Sequence, residues 1–249
     1  MTTTAHLADA PPTPALAFDD GRTARRALGA LLIVEALLAF APVAVLGPAF
    51  GWPKSLRDPA GTQLLAIGAQ PGTLSLGYSL YLLYSILVAP TLIGLAARVF
   101  GSLGKPIAAT VAAFAALSAL ARAIGILRWL TVMPVLARSY AGADAAGRVR
   151  IELVFDAITA YGGGIGELLG VSLFMALALG LLCASAWRSR AMPAWLAGAG
   201  IATASLLAAI AAPALGLPIE APIAAAASML SLWMVAAGIW VMRRTRANA

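Results

Sequence analysis

The chain has 249 residues, of which 61% are hydrophobic and 11% charged, and a formal net charge of +7. Soluble domains carry about 25% charged residues; a soluble fold with so few would expose large apolar patches and aggregate, whereas in lipid an apolar exterior is correctly solvated. The basic residues stand in short groups at the ends of apolar runs, which is the pattern of membrane anchoring and excludes a basic nucleic-acid face.

Residues 1–26 are rich in Thr, Ala and Pro, hold the single histidine, His6, and read as a disordered cytoplasmic segment. The apolar stretch behind Arg22, Arg25 and Arg26 runs on to about Phe50, too far for a signal peptide. A helix crossing the hydrocarbon core needs about 20 mostly apolar residues. Six segments qualify: 27–46, 74–97, 106–136, 153–187, 193–215 and 222–242. Residues 51–72 read as a loop, on Pro53, Pro59, Gly61, Pro71 and Gly72. Pro42 and Pro90 are expected to kink the first two helices. The third and fourth are too long for one crossing, since 30 residues reach about 45 Å; Gly162, Gly163 and Gly164 mark the expected break in the fourth. The expected fold is therefore all-α: an integral membrane bundle of about six transmembrane helices in one domain, residues 27–242, with a basic cytoplasmic tail at 243–249. No internal repeat is visible. Counting Lys and Arg on alternate flanks gives ten residues on the side of the termini and five on the other, so both termini are expected in the cytoplasm.

Several chemistries are missing. Cys183 stands alone in an apolar run and reads as a core residue, with no disulfide or CxxC pair. Without a histidine in any span there is no ligand for haem and no zinc cluster. Lys54 and Lys105 lie outside the spans, which argues against a Schiff-base lysine. No paired carboxylates, histidine base or activated nucleophile is in view, so no enzyme, cofactor or metal is expected.

Four charged residues inside the spans need explaining, because lipid makes them costly: Glu35, Arg122, Arg128 and Glu167. Counted from the ends of their segments, Arg122 stands about 24 Å up, Arg128 about 33 Å, Glu167 about 30 Å and Glu35 only about 12 Å. The first three are expected to form an ion-paired site between the third and fourth helices, open to the outside, with Glu167 accepting from Arg122 or Arg128 and Glu35 too far below to join. The alternative is that the charges only tie two helices together. Six residues separate the two arginines, roughly 120° of helix, so Arg122 is expected to share a face with Gly125 and Trp129 while Arg128 turns towards headgroups. Tyr78, Tyr81 and Ser85 form a stripe on the second helix, level with Trp129 and Tyr161. They read either as an interfacial aromatic belt or as the wall of an outer cavity. Gly162, Gly166 and Gly170 recur every fourth residue, a pattern that admits close helix approach within the bundle or against a second copy or a membrane partner.

Three local patterns occur in a particular order: Gly51-Trp52-Pro53 followed by Leu56-Arg57-Asp58-Pro59; Leu127-Arg128-Trp129 followed by Pro134-Val135-Leu136-Ala137; and Tyr161 followed by Gly166-Glu167-Leu168-Leu169-Gly170. With these the chain resembles a bacterial family of multi-pass membrane proteins classed as a domain of unknown function, DUF4386. The likeness covers residues 27–187 and, more loosely, the remaining helices. It implies a helical fold in the bacterial inner membrane, supplies no activity, and marks Arg128, Trp129, Pro134 and Glu167.

The leading expectation is a non-enzymatic protein of the lipid bilayer that binds a small ligand or lipid in an outward-facing polar site. Arg122, Arg128 and Glu167 would supply charge, and Trp129, Tyr81 and Tyr161 the walls. The rival readings are a secondary transporter or proton-coupled carrier using Glu35 and Glu167, and a structural or regulatory subunit.

Overall fold

In lipid every backbone N–H and C=O must be satisfied within its own segment, which leaves the helix as the economical answer for long apolar runs. The computed structural model describes residues 20–217 and 223–243, without the side chains of Asp20 and Leu215. Within them the chain is helical and has no strand. Helix α1 is Asp20–Leu38, α2 Ala41–Phe50, α3 Ala60–Ala69, α4 Pro71–Phe100 and α5 Pro106–Ala141. Then α6, Ala145–Gly163, passes without a break into a π-helical segment, Gly164–Phe174, and on into α7, Met175–Arg188. Ala194–Ala209 forms α8 and Ile223–Arg243 forms α9.

Five of these runs are long and apolar enough to cross a membrane: 21–50, 71–100, 106–141, 145–188 and 223–243. The fifth predicted span is α8, which at 16 residues is shorter than the rest. Helix α1 begins at Asp20 and not at Ala27, so the last part of the expected disordered segment is helical; residues 1–19 and the tail beyond Arg243 lie outside the described residues.

Two elements differ from the sequence reading. The stretch 51–72 is not a loop, because α3 lies within it. Pro59 precedes the first residue of α3 and Pro71 opens α4, so both prolines bound helices, where a missing N–H costs nothing. The Gly162–Gly164 break is likewise absent. From Gly164 the helix widens to i→i+5 bonding for 11 residues, a local form that recurs at functional sites. The whole run 145–188 has 44 residues, twice what a bilayer core requires. Its α6 end carries Arg148, Arg150, Glu152 and Asp156, the composition of a segment beyond the hydrocarbon.

Helix α5 is the hub, packed by α4, α3, α6, the π segment and α7, while α1 lies between α9 and α4 and α8 against α7 and α9. Apolar burial cannot drive association between helices already in lipid, so close packing must do it. Gly29 of α1 and Gly238 of α9 show how: a Cβ on Gly238 would stand 2.7 Å from the Gly29 carbonyl oxygen. Cys183 is fully buried in this packing, as a core residue.

The core falls into two blocks. One runs through Leu92, Leu95, Val111, Ala115, Ala119, Leu179 and Met234; the other through Leu46, Leu64, Tyr78, Ile126, Trp129, Met133 and Phe155. Along α5 the boundary falls between Ala119 and Ile126, where Arg122 stands. Along α4 it falls at Tyr84 and Ser85, both buried. A polar layer thus crosses the bundle between two apolar blocks.

Candidate functional site

The polar layer opens on one side into a cleft between α4, α5 and the π segment. Tyr78, Tyr81, Arg122, Gly125, Arg128, Trp129, Gly166 and Glu167 line it, with Trp52 and Leu56 from the connection between α2 and α3. Five of the six expected ligand-binding residues therefore meet: Arg122, Arg128, Trp129, Glu167 and Tyr81. The sixth, Tyr161, does not. Its side chain is 75% exposed and is absent from the lining, while the neighbouring Gly162 and Gly166 press against α5.

Arg122 is buried on the face of α5 that carries Gly125 and Trp129, as its spacing predicts. Its guanidinium lies over the Tyr84 ring, 4.5 Å from the centroid, and its Nε has no hydrogen-bond partner. Arg128 corrects an expectation. Its long side chain does not turn away to headgroups but runs back along α5, where Nη1 donates to the Gly125 carbonyl at 3.0 Å. It packs on Gly162, where a Cβ would be 2.7 Å from Nη1, and lies 5.5 Å from the Trp129 ring centroid. The stem of an arginine spans more than a helical turn, which defeats an argument from Cα angle alone. The Arg128 Nε is also buried without a partner.

The expected ion pair takes a different form. Among the described residues no direct hydrogen bond or ion pair joins Glu167 to either arginine. Arg128 is the cation whose charge acts on Glu167, across space, and Glu167 itself stands exposed at the rim. Arg122 is paired in the same through-space sense with Glu35. Glu35 was expected to lie too far below. It nevertheless comes within electrostatic reach of Arg122. Glu35 is fully buried, and neither carboxylate oxygen has a hydrogen-bond partner. It does not line the cleft and lies behind Arg122.

The aromatic stripe is an internal wall and not an interfacial belt. Tyr78 is 3% exposed and stacks on Trp129, with centroids 4.8 Å apart and planes 4° from parallel. Trp129 meets Phe155 edge-on at 6.1 Å, and Tyr81 meets Trp52 edge-on at 5.8 Å. Such contacts are worth about 0.5–1.5 kcal/mol each beyond their area, so they fix the ring planes that bound the cleft. Trp52, Leu56, Tyr78 and Gly125 were not among the expected binding residues. Their sequence signals were the Gly51-Trp52-Pro53 pattern, the i, i+3 spacing of Tyr78 and Tyr81, and the Arg122-x-x-Gly125 spacing.

The three glycines at every fourth position are used within the chain. A Cβ on Gly166 would stand 3.3 Å from the Gly125 Cα, and one on Gly170 would stand 2.9 Å from the Arg122 backbone nitrogen. They let the π segment pass close against α5, where Ser118 Oγ also donates to the Gly170 carbonyl at 2.7 Å. On its other side Ser172 Oγ donates to the Leu207 carbonyl of α8 at 2.6 Å. Gly162, Gly166 and Gly170 are buried by these contacts and present no free face to a second chain.

Apolar helices of this number and length around a buried polar layer define a polytopic helical membrane protein. The chain belongs to the family described as Domain of unknown function (DUF4386), whose sequence model matches residues 27–238. No curated protein and no solved structure matched it.

Proposed function

We propose that the protein is a non-enzymatic binder that takes an anionic group into the cleft between α5 and the π segment, from the outer side of a bacterial cytoplasmic membrane with both termini inside. One observation carries the reading: two guanidinium groups line a single cleft, with one carboxylate, Glu167, among its lining. Charged groups held away from water are stable only when paired, so a carboxylate or phosphate entering the cleft would give both arginines a counter-charge. The cleft lining holds two cations and one carboxylate, Glu167, which supports attraction of an anion. The ten-to-five bias of basic residues supports the orientation.

Thermal unfolding of the purified protein in a mild detergent tests this. Acetate or inorganic phosphate, at ionic strength matched with chloride, is expected to raise the melting temperature of the wild type; at a hundred times Kd the gain is about 2.7 kcal/mol. Arg122→Gln/Arg128→Gln is expected to show no such gain, and Arg128→Gln alone, which leaves the buried arginine in place, at most half of it. Equal shifts in wild type and variants, or none in the wild type, would overturn the reading.

A further inference from the structure

Glu35 is a carboxyl that the cleft does not use. It is fully buried, and neither of its oxygens accepts a hydrogen bond. A carboxylate without water or a donor keeps its charge only through a nearby cation, and the cation within reach is Arg122 of α5. Arg122 also lines the cleft, whereas Glu35 does not. One guanidinium can therefore take its counter-charge from two places: from Glu35 within the bundle, or from an anion in the cleft.

The helices packed around Glu35 offer no other charge. Helix α1 lies against α9, α4 and α2. Helix α2 has no titratable residue, and α9 has none before Arg243 in its last turn. Helix α4 brings Tyr78, Tyr81 and Tyr84, the last beneath the Arg122 guanidinium, and Arg98 in its last turn. In the polar layer and its cleft, Arg122 and Arg128 stand against Glu35 and Glu167, and the four are neutral together when all are ionised. An anion in the cleft adds one negative charge, which is costly where water is scarce. One proton restores the balance. Glu167 is exposed at the rim, where water sustains its charge; Glu35 has neither water nor a donor.

We propose that Glu35 is a proton-binding site linked to the cleft: an anion that takes over Arg122 leaves Glu35 without its counter-charge, and one proton from water binds a Glu35 oxygen for each anion bound. This rests on the anion-binding reading above and adds its regulation. Arg122 stays protonated throughout; the one bond formed is the O–H of Glu35. Anion and proton enter together, and alkaline medium expels both.

The test adds acetate, which stays ionised throughout about pH 6.5–9.5, to the purified protein in weakly buffered detergent solution, with an indicator dye to read the protons. Uptake by wild type is expected to rise with pH towards one proton per acetate bound. One linked proton weakens binding about tenfold per pH unit, so the Kd from the melting shifts is expected to climb with that slope in wild type and in Glu167→Gln alike. Glu35→Gln is expected to take up no proton, to keep one Kd at every pH, and at the alkaline end to bind acetate at least about tenfold tighter than wild type, a gain that a misfolded protein cannot produce. A wild type that acetate stabilises without proton uptake at any of these pH values overturns the linkage and leaves the anion site standing. So does uptake that persists in Glu35→Gln, or that Glu167→Gln loses, since the proton then belongs elsewhere. If acetate stabilises the wild type at no pH, both readings fail.

Discussion

Gly125→Ala is expected to lower stability by about 1–3 kcal/mol, the usual cost of forcing extra atoms into a packed contact, and Gly125→Leu to abolish the folded protein. The reason is what a side chain there would meet. A Cβ would stand 2.8 Å from the Gly162 carbonyl oxygen and 2.8 Å from the Gly166 Cα, both backbone atoms of the facing helix. Backbone cannot rotate aside as a side chain can, so α5 and the π segment would have to part. That would take Gly162 off the Arg128 side chain and open the cleft. Total stabilities of about 5–15 kcal/mol leave little room for such a change. Gly68 is the control: in α3, with nothing within 4 Å of its would-be Cβ, Gly68→Ala is expected to be neutral or stabilising by up to about 1 kcal/mol. Unfolding in mixed micelles with increasing SDS reads both. A Gly125→Ala protein within a few tenths of a kcal/mol of wild type, or an equal loss at Gly68, would show that the close pass is not what holds this region.

The second large effect concerns Glu35 and Arg122, a buried acid and a buried base acting across space. Removing one member of a buried, contacting pair costs about 3–5 kcal/mol. Here no direct contact exists, so Glu35→Leu and Arg122→Met are each expected to cost less, about 1–3 kcal/mol. The double variant removes the orphaned charge together with its partner and is expected to recover about 0.5–3 kcal/mol relative to the sum. The same micelle unfolding closes the cycle. Strict additivity would mean that the two groups do not act on one another and that Arg122 is balanced only by the Tyr84 ring and the cleft.

Five of the six expected spans were legible in the sequence because lipid imposes a length and a composition on each crossing, and residues 71–100, 106–141 and 145–188 satisfy both. The convergence of Arg122, Arg128, Trp129 and Glu167 was legible because charges in a membrane must meet something, and counting residues along a helix measures depth. The same counting misplaced Glu35, because heights counted from the ends of different helices share no common zero. It could not see Arg128 folding back, because that depends on a flexible stem and on the space that Gly162 leaves. Helix α3 was hidden by prolines and glycines that resemble loop punctuation but stand at helix ends. Tyr161 was misassigned because equal height says nothing about which side of a helix a residue occupies.

The central claim is that the two arginines hold an anion, and native mass spectrometry of the protein taken from its own membrane in a mild detergent tests it most directly. Wild type is expected to carry a small acidic molecule of defined mass that Arg128→Gln and Arg122→Gln/Arg128→Gln have lost. Wild type and variants of identical bound mass, or a wild type that carries none, would contradict it.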